Sequence, residues 1–158
     1  MSEIMAALYR GDEETARELA GGAELDVFEA ASLGSIERLR ELLDGDPGLA
    51  TVRSDDDFTA LHYAAFFDGP EAARLLLERG ADVNAFADNE LGVHPLNSAA
   101  AAGRADVARV LLEHGADPDA RTRSGHSPLE AAEANGNAEL AELLRSHGAA
   151  HDEPKNTS

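Results

Sequence analysis

Few residues in this chain combine the type and the spacing that chemistry demands. Cysteine is absent, which removes thiol nucleophiles, thiolate metal ligands and disulfides. Of the six histidines, His147 and His151 stand four apart, the spacing that sets two metal ligands on one helical face. Gly148 lies between them as a helix stop, and no third ligand follows. Asp55, Asp56 and Asp57 suggest a calcium loop, but the glycine and glutamate that complete an EF-hand are missing. The triplet reads as a solvated turn. His62 reads either as a general base or as an internal hydrogen-bonding group. No glycine-rich phosphate loop, nucleophile elbow or triad signature is present. These residues predict no catalytic group, no metal and no cofactor.

The elements that would carry any site come from a chain of 158 residues, the length of one domain. Acids outnumber bases 31 to 13, for a net charge of −18. That balance argues against nucleic acid, whose phosphates need a basic face, and against an anionic membrane surface. No apolar run approaches the ~20 residues of a membrane span. The first ten residues lack the basic start and apolar stretch of a secretory signal. A cytoplasmic protein is expected.

Internal repetition decides the architecture. Thr59-Ala60-Leu61-His62-Tyr63-Ala64-Ala65 aligns with His94-Pro95-Leu96-Asn97-Ser98-Ala99-Ala100 and with Ser127-Pro128-Leu129-Glu130-Ala131-Ala132. Nineteen residues after each shared leucine come Gly80, Gly115 and Gly148, each opening Gly-Ala. The leucines are 35 and then 33 residues apart. Each unit holds two short helical patterns separated by a Gly or Asp breaker. The second pattern has apolar residues at i, i+3 and i+4: Val107, Val110 and Leu111, then Leu140, Leu143 and Leu144. Thr59 and Ser127 suit helix N-caps, and Pro95 and Pro128 suit the first turn. Gly80, Gly115 and Gly148 fit helix ends that need positive φ.

On these residues the chain resembles the ankyrin repeat family over about residues 2–150. The resemblance implies an all-α ankyrin repeat solenoid of stacked helix pairs joined by short β-hairpin-like loops. The expected units are an N-terminal cap at about 1–24, three units at 25–53, 54–86 and 87–121, and a C-terminal cap at 122–150. The tail 151–158 is expected to be disordered. The hairpin between Gly11 and Gly34 is missing, since only 23 residues separate the two. The family also implies the internal reading of His62. Several positions depart from its pattern. Asp57 stands at the hairpin glycine and Asp68 at the position of Gly103, both in turns that aspartate tolerates. His94 replaces the capping threonine, which predicts a weaker cap. Two extra residues near Ala87-Asp88 lengthen the third unit's hairpin. Glu133 and Arg145 replace apolar residues in the last unit, as a cap requires.

Related arrays bind proteins through hairpin tips and the exposed side of the first helices, on a concave face. The resemblance therefore implies a non-catalytic protein-binding module, active as a monomer. Phe58, Phe66, Phe67 and Phe86 fall where the scaffold needs no aromatic, and such residues anchor interfaces. With Leu91 and Val93 they form the candidate binding patch, rimmed by Asp55, Asp56 and Glu90. Alternatively, one or two of these rings turn inward, with the longer hairpin folding over Phe66. Arg121 and Arg123 break the acidity and mark a possible contact with something acidic. The charge admits a second reading, an acidic protein that mimics nucleic acid or binds a basic partner.

Overall fold

The computed structural model describes residues 2–67 and 69–149. Among them ten α-helices follow one another in pairs, each helix short enough to depend on its neighbours for stability. The pairs are α1 (Glu3–Tyr9) with α2 (Glu13–Ala20), α3 (Val27–Leu33) with α4 (Ile36–Gly45), α5 (Ala60–Phe66) with α6 (Pro70–Glu78), α7 (Pro95–Ala102) with α8 (Ala105–Glu113), and α9 (Pro128–Ala134) with α10 (Ala138–Ser146). A 3-10 turn at Pro47–Ala50 follows α4. The first helices form a front row, α1 on α3, α3 on α5, α5 on α7 and α7 on α9. The second helices form a back row in which α4, α6, α8 and α10 pack in succession.

The predicted local signals are the ones used. Thr59 and Ser127 cap α5 and α9 through their hydroxyls, which accept from the backbone N–H of His62 and Glu130. At α7 no hydroxyl caps the helix, and only the return bond, which α5 and α9 share, is made. Asn97 Oδ1 accepts from the His94 backbone N–H at 2.8 Å and lies 2.9 Å from His94 Nδ1. Gly80, Gly115 and Gly148 take φ of 101°, 94° and 99°, ending the back-row helices where an L-residue would be strained. Asp57 is the only non-glycine with positive φ among the described residues, at 66°.

The core runs between the two rows. Leu61, Leu96 and Leu129 of the front row are buried beside Leu76, Val107, Leu111, Leu140 and Leu144 of the back row. Buried alanines at Ala64, Ala65, Ala99, Ala100 and Ala132 keep neighbouring front helices close. Between α2 and α3 there is no hairpin, only residues 21–26. The later hairpins are each closed by a backbone bond across the loop. Ser54 N–H donates to Phe58 O at 2.8 Å, Ala87 to Val93 at 2.8 Å and Thr122 to His126 at 2.9 Å. They enclose residues 55–57, 88–92 and 123–125, so the two extra residues lie between Ala87 and Val93. Glu133 and Arg145 are exposed and pair with each other at 2.9 Å on the last helix pair. The expectations for Asp68, His151 and the 151–158 tail fall outside the described residues.

Candidate functional site

One buried polar position recurs in the front row and shows how the hairpins are aimed. His62 is 2% exposed. Its Nδ1 accepts from the Thr59 backbone N–H at 3.2 Å, so its Nε2–H donates to Val93 O of the next hairpin at 3.0 Å. The two bonds fix the neutral ring in one tautomer. Burial above all drives its pKa down to about 4, with Arg53 and His94 adding to the effect against the pull of the Val93 carbonyl. Asn97, one unit later, does the same with an amide, donating from Nδ2 to Ala120 O at 2.8 Å. His62 is therefore a strut that holds the third unit's hairpin over α5. Both its nitrogens are engaged, which leaves no free base.

That hairpin helps to form an open groove of about 490 Å³ along the front row. Phe58, Tyr63 and Phe66 line it from the second unit, Leu91, Val93 and Ala101 from the third, and His126 and Ala131 from the fourth. Four of the expected patch residues thus meet in one place: Phe58, Phe66, Leu91 and Val93. Phe66 is 40% exposed and Leu91 62%, large apolar surfaces left open in a chain this acidic. Phe66 is supported by two rings, its neighbour Phe67 at 5.0 Å and Tyr9 of α1 at 6.3 Å between centroids.

The remaining expected residues lie around the groove. Phe67 packs edge-on to Tyr9 at 5.3 Å and lines a separate cleft with Leu8 and Leu33. Phe86 stacks near His94 at 5.1 Å and lies under the Arg123 guanidinium at 5.6 Å. Arg123 also donates to Asn89 O at 3.1 Å and pairs with Asp88 at 2.6 Å, clamping the long hairpin to the next one. Arg121, the last residue of the third unit, turns to the C-terminal cap, bonded to Gly125 O at 2.7 Å and 3.5 Å from Glu130. Asp55 and Asp56 are exposed beside a further cleft that also holds Tyr9, Phe28 and Tyr63. Glu90 is exposed on the long hairpin.

The sequence patch omitted Tyr9. Its signal was present, because two residues before Gly11 is the register position of Phe66 in the second unit and Ala101 in the third. Extending the alignment back into the first helix pair brings Tyr9 onto the same face.

Ten paired helices, hairpins closed at a fixed register and glycines at the same helix ends describe one repeated unit. A profile described as ankyrin repeats in three copies matches residues 4–87, and one of ankyrin repeats in many copies matches 76–132. The chain belongs to the ankyrin repeat family. Ankyrin repeats generally mediate protein–protein interaction, and the family is typically a non-catalytic interaction module. The chain is similar to part of the human "Neurogenic locus notch homolog protein 4", 39% identical over 108 residues that cover 66% of this chain and 5% of that protein. It is 45% identical to the "Probable E3 ubiquitin-protein ligase XBOS31" of Oryza sativa subsp. japonica over 62 residues, 39% of this chain and 14% of that one. It is 30% identical to the Drosophila melanogaster "Palmitoyltransferase Hip14" over 127 residues, 80% of this chain and 20% of that one. The chain thus spans at most a fifth of the length of these relatives. Among the described residues, no helix is long and apolar enough to cross a membrane.

Proposed function

We propose that this ankyrin array binds a protein partner, without catalysis, through the groove along its front row. The observation that carries the reading is the origin of the lining. Apolar residues from three successive units converge there, and two of them, Phe66 and Leu91, stay exposed, while Phe58 is half-buried against His62 and Tyr63. Phe58, Phe66, Leu91 and Val93 serve as anchors, the role that large apolar and aromatic groups play at interface centres. Asp55, Asp56 and Glu90 form the charged rim, and Phe67, Phe86, Arg121 and Arg123 hold the surrounding hairpins and helices in shape. The net charge of −18 supports a soluble monomer.

The test is affinity capture with the wild-type chain and an Ala101→Asp variant whose melting curve matches it. Ala101 is exposed, at the end of α7, and lines the groove. A charge there is expected to weaken capture of a partner by about tenfold or more, the cost of an unpaired charge in an interface core. Equal capture of every partner by the two proteins would move the binding surface elsewhere.

A further inference from the structure

The groove continues past Phe58. Tyr9 and Tyr63 line both the groove and a second open cleft of about 560 Å³. The walls of that cleft include Phe28, whose ring lies 5.5 Å from that of Tyr63. Around the same cleft stand three carboxylates, Asp26, Asp55 and Asp56. Asp26 caps α3, accepting from the Glu29 N–H at 2.8 Å. Asp55 and Asp56 enter no ion pair among the described residues.

Charge on the rest of this face is one-sided. The five front-row helices carry Glu3, Glu29, Glu130 and Glu133 and no lysine or arginine. The arginines of the hairpins are all held by acids of this chain. Arg53, which borders the cleft, is 3.2 Å from Asp57, Arg121 is 3.5 Å from Glu130, and Arg123 is 2.6 Å from Asp88. Asp56 faces the tyrosines closely enough to raise the pKa of both. Tyr9 is pushed up to about 12, by burial first and then by Tyr63 and Asp56. Both phenols therefore stay neutral, and their rings offer electron-rich faces beside uncompensated carboxylates.

We propose that the partner segment places an apolar side chain in the groove and, beside it, a lysine or arginine side chain in the cleft between Tyr9, Phe28, Tyr63 and the Asp55–Asp56 carboxylates. The inference rests on the groove reading above and adds the chemistry of what enters it. Aromatic walls and carboxylates together favour a cation over a neutral or acidic group. The rest of the face supplies no cation that would welcome an acidic segment.

Random peptides displayed on phage and selected on the full chain provide the probes, and enriched peptides are synthesised for titration by fluorescence anisotropy. Enriched sequences are expected to pair a basic with an apolar residue at a constant spacing. Their binding is expected to weaken by about tenfold in a folded Asp55→Asn/Asp56→Asn variant, the loss of a charge-assisted contact. It should also weaken at high salt and weaken in Ala101→Asp. Replacing the peptide's basic residue by glutamate should abolish binding to the wild type and restore part of it to Asp56→Lys. Peptides that lose binding in Ala101→Asp but carry no basic residue, or ignore the Asp55→Asn/Asp56→Asn change, overturn the cleft assignment and leave the groove standing. Peptides indifferent to Ala101→Asp, or no enrichment at all, overturn both.

Discussion

The front and back rows of this array are built to one repeat, yet they treat charge in opposite ways. Back-row helices carry arginines on their exposed side, and several meet acids of a neighbouring unit. Arg79 lies 2.8 Å from Asp44, Arg74 3.9 Å from Glu113 and Arg109 3.9 Å from Glu139. Front-row helices have no lysine or arginine, and the polar groups that hold the following connections are neutral and buried, His62 on Val93 of the next unit and Asn97 on Ala120 near the end of its own. The difference separates two tasks. Exposed ion pairs keep the back row wet at little energetic gain. Buried neutral struts set where each hairpin lies over the next helix, because an unmatched polar group there is costly. The front face is left with Phe66 and Leu91 exposed and with Asp55 and Asp56 outside any ion pair among the described residues.

The largest expected effect tests the neutral strut. Because the folded-state pKa of His62 lies near 4, below its ordinary 6.5, the folded protein favours the uncharged ring. Its contribution is complete above pH 6.5 and is lost as pH falls towards 4, while the unfolded chain takes up a proton that the folded chain refuses. Over that window the wild type should lose about 3 kcal/mol relative to a His62→Asn variant, which imitates Asn97 and does not titrate. Urea denaturation of both proteins across the window measures it. A difference between the two that stays constant with pH would mean that His62 protonates freely, and the contrast between the rows would fail.

A smaller effect sharpens the contrast at the hairpins. Gly92 has φ of +57°, and a Cβ added there would collide with Arg123 Cβ and lie 3.1 Å from Phe86 Cζ. Gly92→Ala must displace Arg123 from Asp88 and from the Phe86 ring, at about 1–3 kcal/mol. Gly136 has φ of +67° and open space around it. Gly136→Ala therefore suffers only the left-handed strain, about 1 kcal/mol. Thermal unfolding of the two variants separates the clamp from the backbone strain. Equal losses would show that Arg123 contributes nothing to the long hairpin.

The same residues show how far the sequence could be read. The helix ends, the caps at Thr59 and Ser127, the turn at Asp57 and the longer third hairpin all rest on local backbone preferences that repeat along the chain, so alignment alone exposes them. The weaker cap at His94 was legible too: its ring gives α7 no cap bond like those of the Thr59 and Ser127 hydroxyls, and only the return bond from Asn97 to the His94 N–H is kept. The groove was legible only in part. Phe58, Phe66, Leu91 and Val93 share it because their backbone positions all face the front row. Phe67 and Phe86 occupy equally variable positions but point to other partners, one to Tyr9 and the other beneath Arg123. Which way a ring turns depends on contacts between units, and those contacts join residues about one repeat apart, as Arg123 does with Asp88. A pattern within one unit does not contain them.

The smallest predicted effect bears on the back row. Arg109 and Glu139 lie 3.9 Å apart with both side chains about half exposed or more, so solvent screens most of their attraction. Arg109→Gln should change stability by less than about 0.5 kcal/mol, and the change should vanish at high salt. Chemical denaturation at two ionic strengths measures both quantities. The value matters because α8 and α10 touch through this face as well as through Val107, Leu111, Leu140 and Leu144. A cost above about 1 kcal/mol that survived salt would mean the pair is part of how the units stack. Charge on the back row would then be structural, as the buried polar groups of the front row are, and the division of tasks between the rows would rest on burial alone.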